Sequence, residues 1–373
     1  MNRLNTFRIA ISETFNLASL NSLQNSFQKP GIEGQIIFWR QLATLLKAGI
    51  ALYQALGIAH SECRDVRMKP LIAQMIVNLG EGQSFSKTMA ETNVFPAWVM
   101  SLCGAGESRG ALDDAAFKIS ELFSQRRALQ QKITTALSYP ILLFVGGGGV
   151  LLGMLLFVIP KFKNFFTDTL LQVPMSTKIL FQLSDLLIYH PLILGTLLVA
   201  LVGSILWLFF SEFGRTIFDR LYFKLPLVGP IAMALACARF ARILGSLYQS
   251  GVPLMQALQL SRDSQSNQFV RADLDLAIAS VKDGRGLSQP LFESKVFPPM
   301  LPQMLAVGEE AGKLGEMALK TAVFFEEEAE YQLKKYMALL EPLALLVIAL
   351  AVAFMASAII LPMFKMAGNF RLR

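Results

Sequence analysis

Three long stretches of the chain consist only of uncharged, mostly apolar residues. They cover residues 140–159, 191–210 and 342–361, and each is 20 residues long. A helix of that length spans about 30 Å, which matches the hydrocarbon core of a bilayer. The pattern therefore predicts three transmembrane helices separated by polar segments.

The polar segments and two of the apolar runs form an internal repeat. Shifting the chain by 202 positions aligns residues 38–162 with 240–364 without a gap. Identical pairs in the first part of the repeat include Phe38, Arg40, Leu42, Leu45, Gly49, Leu52, Gln54 and Leu56 with Phe240, Arg242, Leu244, Leu247, Gly251, Leu254, Gln256 and Leu258. The prolines that flank the spans, Pro140 and Pro160, align with Pro342 and Pro362. Each copy is thus a polar domain followed by one span. The middle span has no counterpart, and it returns the second copy to the side of the membrane that holds the first.

Within each polar domain the apolar residues recur at helical spacing, as at Leu42, Leu45 and Leu46. Gly49 and Gly251 follow the first apolar stretch of each copy, where a helix is expected to end. We find no pattern of strands and turns. The predicted fold is therefore all-α: a polytopic membrane protein with two repeated helical bundles and three transmembrane helices.

Composition agrees with a membrane protein, because 54% of the residues are hydrophobic and only 16% are charged. The three cysteines, Cys63, Cys103 and Cys237, lack the C-x-x-C spacing of metal or redox sites and are expected to be buried thiols in a reducing compartment. The net charge of +7 is scattered along the chain, so nucleic-acid binding is not expected. The first 20 residues lack the continuous apolar core of a signal peptide.

The segment Gly106-Glu107-Ser108-Arg109-Gly110 fits the G-x-S-x-G pattern of a hydrolase nucleophile. In the second repeat the serine position is Glu310, and the histidine that follows Ser108 in the chain, His190, lies beyond the first span. Ser108 is therefore not expected to be catalytic. Since no other catalytic or cofactor-binding constellation is present, we predict neither an enzyme nor a cofactor.

The element shared by both copies is Gly-Glu-x-x-Gly-x-Leu. It comprises Gly106, Glu107, Gly110 and Leu112 in the first repeat and Gly308, Glu309, Gly312 and Leu314 in the second. We interpret it as a helix end, a tight glycine turn, and a carboxylate at the start of the following long helix, where the helix dipole favours negative charge. Two roles stay open for the glutamates, which are capping or pairing within the bundle and contact with a partner.

The long helices predicted over 112–136 and 314–340 run toward the first and third spans. They differ in charge, since 124–132 is basic and 326–334 is acidic. The charges either form solvated faces or pair between repeats or subunits, and surface pairs alone are weak. The first and third spans each carry a face of small residues, which predicts close helix packing. The residues are Gly149 and Gly153 in the first span and Ala349, Ala353 and Ser357 in the third. The two faces are expected to pack on each other or across a subunit interface.

Several motifs follow one another along the chain. They are the doubled Gly-Glu-x-x-Gly-x-Leu, the Ala-Leu-Ser-Tyr-Pro entry to the first span at 136–140, the Glu-Pro entry to the third at 341–342, and "VIPKFKNFF" answered by "LPMFKMAG". In this order they resemble the motifs of the type II secretion system F and type IV pilus assembly C family of inner-membrane platform proteins. The likeness covers about residues 36–366. One departure is Val173-Pro174, where the family usually has Leu-Pro.

The resemblance implies that both bundles are cytoplasmic. It also implies contact with a cytoplasmic assembly ATPase, with pilin or pseudopilin subunits, with other inner-membrane assembly proteins, and with further copies of the chain in the bilayer. The implied division is an N-terminal segment 1–35, a first cytoplasmic domain 36–136, transmembrane helix 137–160, a periplasmic loop 161–190, transmembrane helix 191–210, a second cytoplasmic domain 211–341, transmembrane helix 342–361 and a periplasmic tail 362–373. A nucleotide-binding G-x-x-x-x-G-K-[ST] motif is missing from the sequence, so the energy must come from the partner.

The main alternative is a membrane transporter, because internal repeats are common in that class. It is disfavoured because the three predicted spans contain no ionisable residue that could form an ion or proton pathway.

Overall fold

The computed structural model of the chain describes residues 30–167, 175–190, 228–294 and 296–370, together with a few isolated positions between 196 and 225. Within these residues the secondary structure is helical, without strands. The predicted N-terminal segment before residue 30 and most of the predicted second span, 191–210, lie outside the described residues.

Each repeat contains five bundle helices followed by one long helix. The first has α1 (Ile32–Lys47), α2 (Leu52–Glu62), α3 (Met68–Gly80), α4 (Phe85–Glu91), α5 (Ala97–Arg109) and α6 (Leu112–Gly153). A π-helical turn (Met154–Val158), α7 (Ile159–Thr167) and α8 (Met175–Tyr189) follow. The second has α9 (Gly229–Gln249), α10 (Leu254–Asp263), α11 (Gln268–Lys282), α12 (Ser288–Glu293), α13 (Met300–Glu310) and α14 (Leu314–Phe370).

Local sequence signals explain where several of these helices begin and end. Ser84 accepts from the amide of Lys87 at the start of α4, and Asn267 accepts from the amide of Phe269 at the start of α11. After α1 and α9 the chain turns through glycines in the left-handed region, with φ of 81° at Gly49 and 80° at Gly251. The same turn thus closes the first helix of both repeats.

The two bundles form one compact unit with a continuous core. In the first bundle Trp39 is fully buried and meets the edges of Phe38, Phe85 and Phe95 at ring-centroid distances of 5.1, 6.3 and 5.8 Å. In the second bundle the core includes Phe240, which is also fully buried. Buried residues of both bundles belong to a single cluster, so the repeats share their core instead of folding as isolated domains.

The second compact unit contains the distal part of α6, the π-helical turn, α7, α8 and the distal part of α14. Its core consists of Leu155, Ile159, Leu180, Met355 and Ala358. The helix α8 lies in the segment for which the sequence predicted a periplasmic loop. It is an integral part of this unit, because its residue Leu180 is only 4% exposed.

Pro160 and Pro362 each leave one carbonyl without its helical donor, and α8 supplies the replacement. Pro362 has no N–H to donate to the carbonyl of Ala358 four residues earlier. The hydroxyl of Thr177, which is buried, donates to that carbonyl oxygen at 2.7 Å. The bond ties α8 to the helix of the second repeat.

Pro160, the equivalent proline of the first repeat, also leaves a carbonyl that accepts a hydrogen bond from a hydroxyl of α8. The amide of Ile159 donates to the carbonyl of Met154, five residues earlier, as in a π-helix. The next amide along would belong to Pro160 and is missing, so the carbonyl of Leu155 has lost its helical partner. The buried hydroxyl of Ser184 donates to it at 2.7 Å. Thr177 and Ser184 are seven residues apart and therefore lie on one face of α8.

In the part of the chain that the structure describes, three helices are long and apolar enough to cross a membrane: those over Leu112–Lys163, Gly229–Gln249 and Leu314–Ile360. The first and last contain the predicted first and third spans. The middle one is α9, whose most apolar window is 61% buried inside the protein, against 6% and 17% in the other two. We therefore assign α9 to the core of the second bundle.

The close contact between α6 and α14 differs from the one expected from the small residues. A Cβ added at Gly147 would lie 2.5 Å from Cδ1 of Ile348, so this glycine is where the helices approach each other. Gly149, Ala349 and Ala353 are exposed instead. A Cβ at Gly149 or Gly153 would meet nothing within 4 Å among the described residues, and Ser357 is only half-buried. The predicted small faces thus do not pack on each other within the chain, because the contact face is rotated around each helix.

Candidate functional site at the paired glycine turns

The two Gly-Glu-x-x-Gly-x-Leu elements form the same turn in both repeats. Gly110 follows α5 with φ of 67°, and the amide of Ala111 donates to the carbonyl of Gly106 at 2.8 Å. Gly312 follows α13 with φ of 66°, and the amide of Lys313 donates to the carbonyl of Gly308 at 2.8 Å. These are Schellman turns, which satisfy the last carbonyls of a helix and need a residue that tolerates positive φ.

The first glycine of each element permits close packing of the two helices that the turn joins. A Cβ on Gly106 would lie 2.6 Å from Cβ of Ala115, in the first turn of α6. A Cβ on Gly308 would lie 2.9 Å from Cα of Leu314, at the start of α14. A side chain at either position would push the long helix away from its bundle. Leu112 and Leu314 pack against the core immediately after the turn.

The sequence suggested that the glutamates lie at the start of the following long helix, but the structure places them elsewhere. Glu107 accepts hydrogen bonds from the backbone amides of Phe85 and Ser86 at 2.7 and 3.1 Å, and from the Ser86 hydroxyl at 2.9 Å. It therefore caps the N-terminus of α4, 21 to 22 residues earlier in the chain. The tertiary fold brings that helix end against α5, and free amides at a helix start are favourable partners for a carboxylate.

The second repeat repeats this arrangement. Glu309 accepts from the amides of Leu287 and Ser288 at 2.7 and 3.1 Å, at the start of α12. Both glutamates are half-buried. Of the two roles left open by the sequence, capping within the bundle is the one for which the structure shows contacts. The acidic residues at the start of α6 are instead Asp113 and Asp114.

Two groups near the first turn are unsuited to reactive chemistry. Burial, and to a lesser degree the nearby Glu107 carboxylate, hold the pKa of the Cys103 thiol well above its usual range. The Ser108 hydroxyl donates to the carbonyl of Ala105 in its own helix at 3.1 Å. Burial also raises the pKa of Cys237. The Ser108 hydroxyl is thus engaged within its own helix, and burial disfavours the thiolate form of Cys103 and Cys237.

Next to the first turn lies a cavity of about 390 Å³ between the two repeats. It is lined by Arg109, Ala111, Asp114, Ala115, Phe117, Lys118, Gln249 and Ser250. The Lys118 ammonium donates to the Ser250 hydroxyl at 3.2 Å. Partial burial and then the Arg109 charge lower the pKa of Lys118, while Asp114 and Glu121 act in the opposite direction.

The opposite charges of the two long helices are paired within their own repeats where contacts are described. Glu326 in α14 accepts from Nε and Nη2 of Arg242 at 3.1 and 2.6 Å. The equivalent Arg40 donates to the Ser124 hydroxyl at 3.4 Å. Arg127 in α6 pairs with Glu33. Pairing between repeats is not needed to explain the two charged side chains Arg127 of α6 and Glu326 of α14 or their partners.

Among the described residues we find no group of three or more His, Cys, Asp or Glu side chains that could hold a metal ion. The glutamates of the turns accept from backbone amides of the bundles and, in the first repeat, also from the Ser86 hydroxyl.

Comparison with known proteins agrees with the repeat. The family described as "Type II secretion system (T2SS), protein F" matches twice, over residues 38–160 and 240–362. The two matched ranges are offset by 202 residues, as in the self-alignment of the sequence.

Similar curated proteins carry two kinds of name. The type IV pilus assembly protein PilC of Thermus thermophilus is 33% identical over 341 residues, which are 91% of this chain and 84% of that protein. The type II secretion system protein F of Aeromonas hydrophila is 31% identical over 330 residues, or 88% of this chain and 84% of that protein. PilC of Myxococcus xanthus is 30% identical over 91% of this chain and 82% of that protein.

Proposed function

Because the chain belongs to the type II secretion system protein F family, we propose that it is the inner-membrane platform protein of a type IV pilus or type II secretion machine. The observation that carries this proposal is the double family match over both repeats and their spans. The family resemblance inferred from the sequence is thereby confirmed. Relatives of similar identity are named for pilus assembly and for secretion.

In this role both bundles lie in the cytoplasm, and the chain joins a cytoplasmic assembly ATPase to pilin or pseudopilin subunits in the membrane. Further partners are other inner-membrane assembly proteins and additional copies of the chain. The proposal of an external energy source is supported by the missing nucleotide-binding motif in the sequence. The chain acts as a scaffold without a reaction of its own, in keeping with the polar contacts of the turns.

The helices α6 and α14 are proposed to transmit movement from the bundles toward the membrane. Each begins directly at a Schellman turn and continues as one helix into an apolar run, over Leu112–Gly153 and Leu314–Phe370, with Pro140 or Pro342 where the run begins. An unbroken helix transmits rotation and displacement because its backbone hydrogen bonds resist bending. The turns fix the start of each helix to its bundle through Gly106 and Gly308.

This mechanism is tested by breaking one helix outside its bundle core. Inserting Gly-Pro after Ala128, which is exposed on α6, interrupts the helix between the turn and the span. We expect membrane insertion to persist and fibre assembly or secretion to be lost in a deletion strain that expresses the variant. The matched control carries the same dipeptide after Arg64, in the exposed loop between α2 and α3. Normal assembly with the Ala128 insertion would contradict the proposed transmission.

The same deletion strain decides which machine the protein serves. Loss of surface fibres with normal protein secretion identifies a pilus platform, and loss of a secreted protein without loss of fibres identifies a secretion platform. If neither changes, the proposed function is wrong.

A further inference from the structure

The contact between the two repeats is one-sided. The end of α5 and the start of α6 lie against the turn between α9 and α10 of the other repeat. Gln256 donates to the Ser101 hydroxyl at 3.3 Å, and a Cβ on Gly251 would lie 2.9 Å from Nη1 of Arg109. Ser250, which accepts from Lys118, is only 4% exposed.

The reciprocal contact is missing among the described residues, although both of its faces exist. The turn between α1 and α2 has the same shape, with φ of 81° at Gly49, yet a Cβ there would meet nothing within 4 Å. Ala48, which corresponds to the buried Ser250, is exposed. On the other repeat the end of α13 is open, since residues 310–313 are exposed and Val307 is 52% exposed.

A contact that joins two similar modules through different faces leaves one copy of each face free. Such a heterologous contact continues from molecule to molecule, whereas an isologous contact is complete after two. We propose that the free faces bind a second copy of this chain: the α13–α14 turn of one copy docks on the α1–α2 turn of the next. The second copy thus repeats between molecules the contact that already joins the repeats within one.

The side chains on the two free faces suit this partner. Lys47 stands where the filled contact has Gln249, and Glu316 stands where it has Asp114; in the filled contact both residues line the cavity. Glu316 pairs with Lys320 of its own helix at 2.8 Å, so the proposed contact brings Lys47 to the carboxylate of an existing ion pair. Each free face also exposes an apolar side chain, namely Tyr53 on one face and Val307 on the other, 54% and 52% exposed.

One polar contact of the filled interface has no counterpart. Because Ala48 replaces Ser250, Lys320 has no hydroxyl to take the place of the Lys118–Ser250 bond. The intermolecular contact thus exchanges one hydrogen bond for the approach of Lys47 to the Glu316–Lys320 pair and for the apolar area of Tyr53 and Val307. That exchange favours a contact weaker than the one within the chain and sensitive to salt.

Anchoring in one membrane limits how successive copies of the chain can be arranged. All copies lie in the same bilayer, so the rotation that relates them has its axis along the membrane normal. Repeated heterologous contacts then close into a ring when that rotation is a whole fraction of a turn, and form an open row otherwise. The inference deepens the homo-oligomer of the proposed function and rests on that part of it. It does not depend on the ATPase.

Crosslinking in membranes tests the contact directly. The filled pair, Ser101 and Gln256, corresponds to Gln303 and Gln54 on the free faces, and both of these are exposed. In a Cys63→Ser background, one tagged copy carries Gln54→Cys and a differently tagged copy carries Gln303→Cys. A short thiol-reactive crosslinker is expected to give a dimer that contains both tags.

The matched control places Ser101→Cys and Gln256→Cys in the same chain, where the crosslinker is expected to join them within one molecule. Absence of the two-tag dimer while this control reacts would overturn the proposal. A dimer formed as efficiently by Gln54→Cys copies alone would also overturn it, because that product indicates an isologous contact. Failure of the crosslink with fibre assembly intact would leave the proposed platform function standing.

A charge exchange tests the register of the two faces. Lys47→Glu places a carboxylate opposite Glu316 and is expected to lower the two-tag dimer several-fold. Combining it with Glu316→Lys on the other copy is expected to restore the dimer, since the pair is then reversed rather than removed. An equal loss in the single and combined variants contradicts the proposed placement of these residues.

Discussion

The hydroxyl of Thr177 is predicted to replace the hydrogen bond that Pro362 cannot make. Thr177→Val keeps the shape of the side chain and removes the donor to the Ala358 carbonyl, a bond of 2.7 Å at a residue that is 2% exposed. An acceptor left unpaired in apolar surroundings costs about 1–2 kcal/mol. The opening of α8 is then expected to become about 5–30 times more frequent.

Restoring the missing amide distinguishes the loss of the hydrogen bond from a loss of packing as the cause of this cost. Pro362→Ala returns an N–H four residues after Ala358, so the carbonyl regains a donor of its own helix. In that background Thr177→Val is expected to cost less than about 0.5 kcal/mol. The difference between the two backgrounds is the coupling energy between the hydroxyl and the proline.

Hydrogen–deuterium exchange of the 175–190 peptide, measured on the full chain in detergent, reports this opening. Ser357→Ala is the matched control, because that hydroxyl donates to Phe354 of its own helix at 2.8 Å and that carbonyl keeps a backbone donor. An equal acceleration by Thr177→Val with and without Pro362 would refute the reasoning and assign the effect to packing.

Three further predictions concern the bundles. Glu309→Ala releases two backbone amides and is expected to destabilise the second bundle by about 1–3 kcal/mol, measured by thermal unfolding. Arg242→Met removes a two-bond pair whose side chains are 13% and 29% exposed and is expected to cost about 1–3 kcal/mol, against about 0.5 kcal/mol or less for Arg40→Met. Alkylation at neutral pH, followed by mass spectrometry, is expected to modify half-buried Cys63 first and Cys103 only after unfolding, because burial raises the pKa of the Cys103 thiol.

Each of the three predictions has either a control substitution at a nearby residue or a result that would contradict it. Glu310→Ala alters an exposed side chain next to Glu309 and is expected to change the unfolding free energy by less than about 0.5 kcal/mol. If Glu309→Ala abolishes partner binding at unchanged stability, the glutamate serves a partner surface instead of capping α12. Equal costs at Arg242 and Arg40 would show that the carboxylate of Glu326 adds nothing. Rapid alkylation of Cys103 in the folded protein would contradict its burial.

The sequence was sufficient to place the glycine turns. Gly110 and Gly312 recur 202 positions apart before long apolar patterns, and a helix end that needs positive φ restricts the residue strongly to glycine. The same reasoning failed for Glu107. Its partners lie 21 to 22 residues earlier, and only the packing of α4 against α5 brings them together. A carboxylate favours any helix start, so the sequence could not say which one.

The role of α8 was missed for a related reason. Apolar length identified the spans, and the segment between them was interpreted as a loop. The available signal was a pair of prolines, Pro160 and Pro362, each of which had to leave a carbonyl unpaired inside an apolar helix. Two hydroxyl residues seven positions apart, Thr177 and Ser184, answer that need from one helical face. Their partners could not be assigned without the tertiary arrangement of the spans.

The duplication determines local contacts within each repeat, but it does not determine which surfaces the repeats use to contact each other or another molecule. The shared glycines of the Gly-Glu-x-x-Gly-x-Leu turns, Gly110 and Gly312, make the same local contacts in each copy because those contacts lie within one repeat. Positions that differ, such as Gln249 against Lys47, lie where one repeat meets another surface. A face filled inside the chain can keep neutral side chains, while its free counterpart must select a partner and gains from charge. The differences between the copies therefore mark the surfaces through which this protein is expected to assemble.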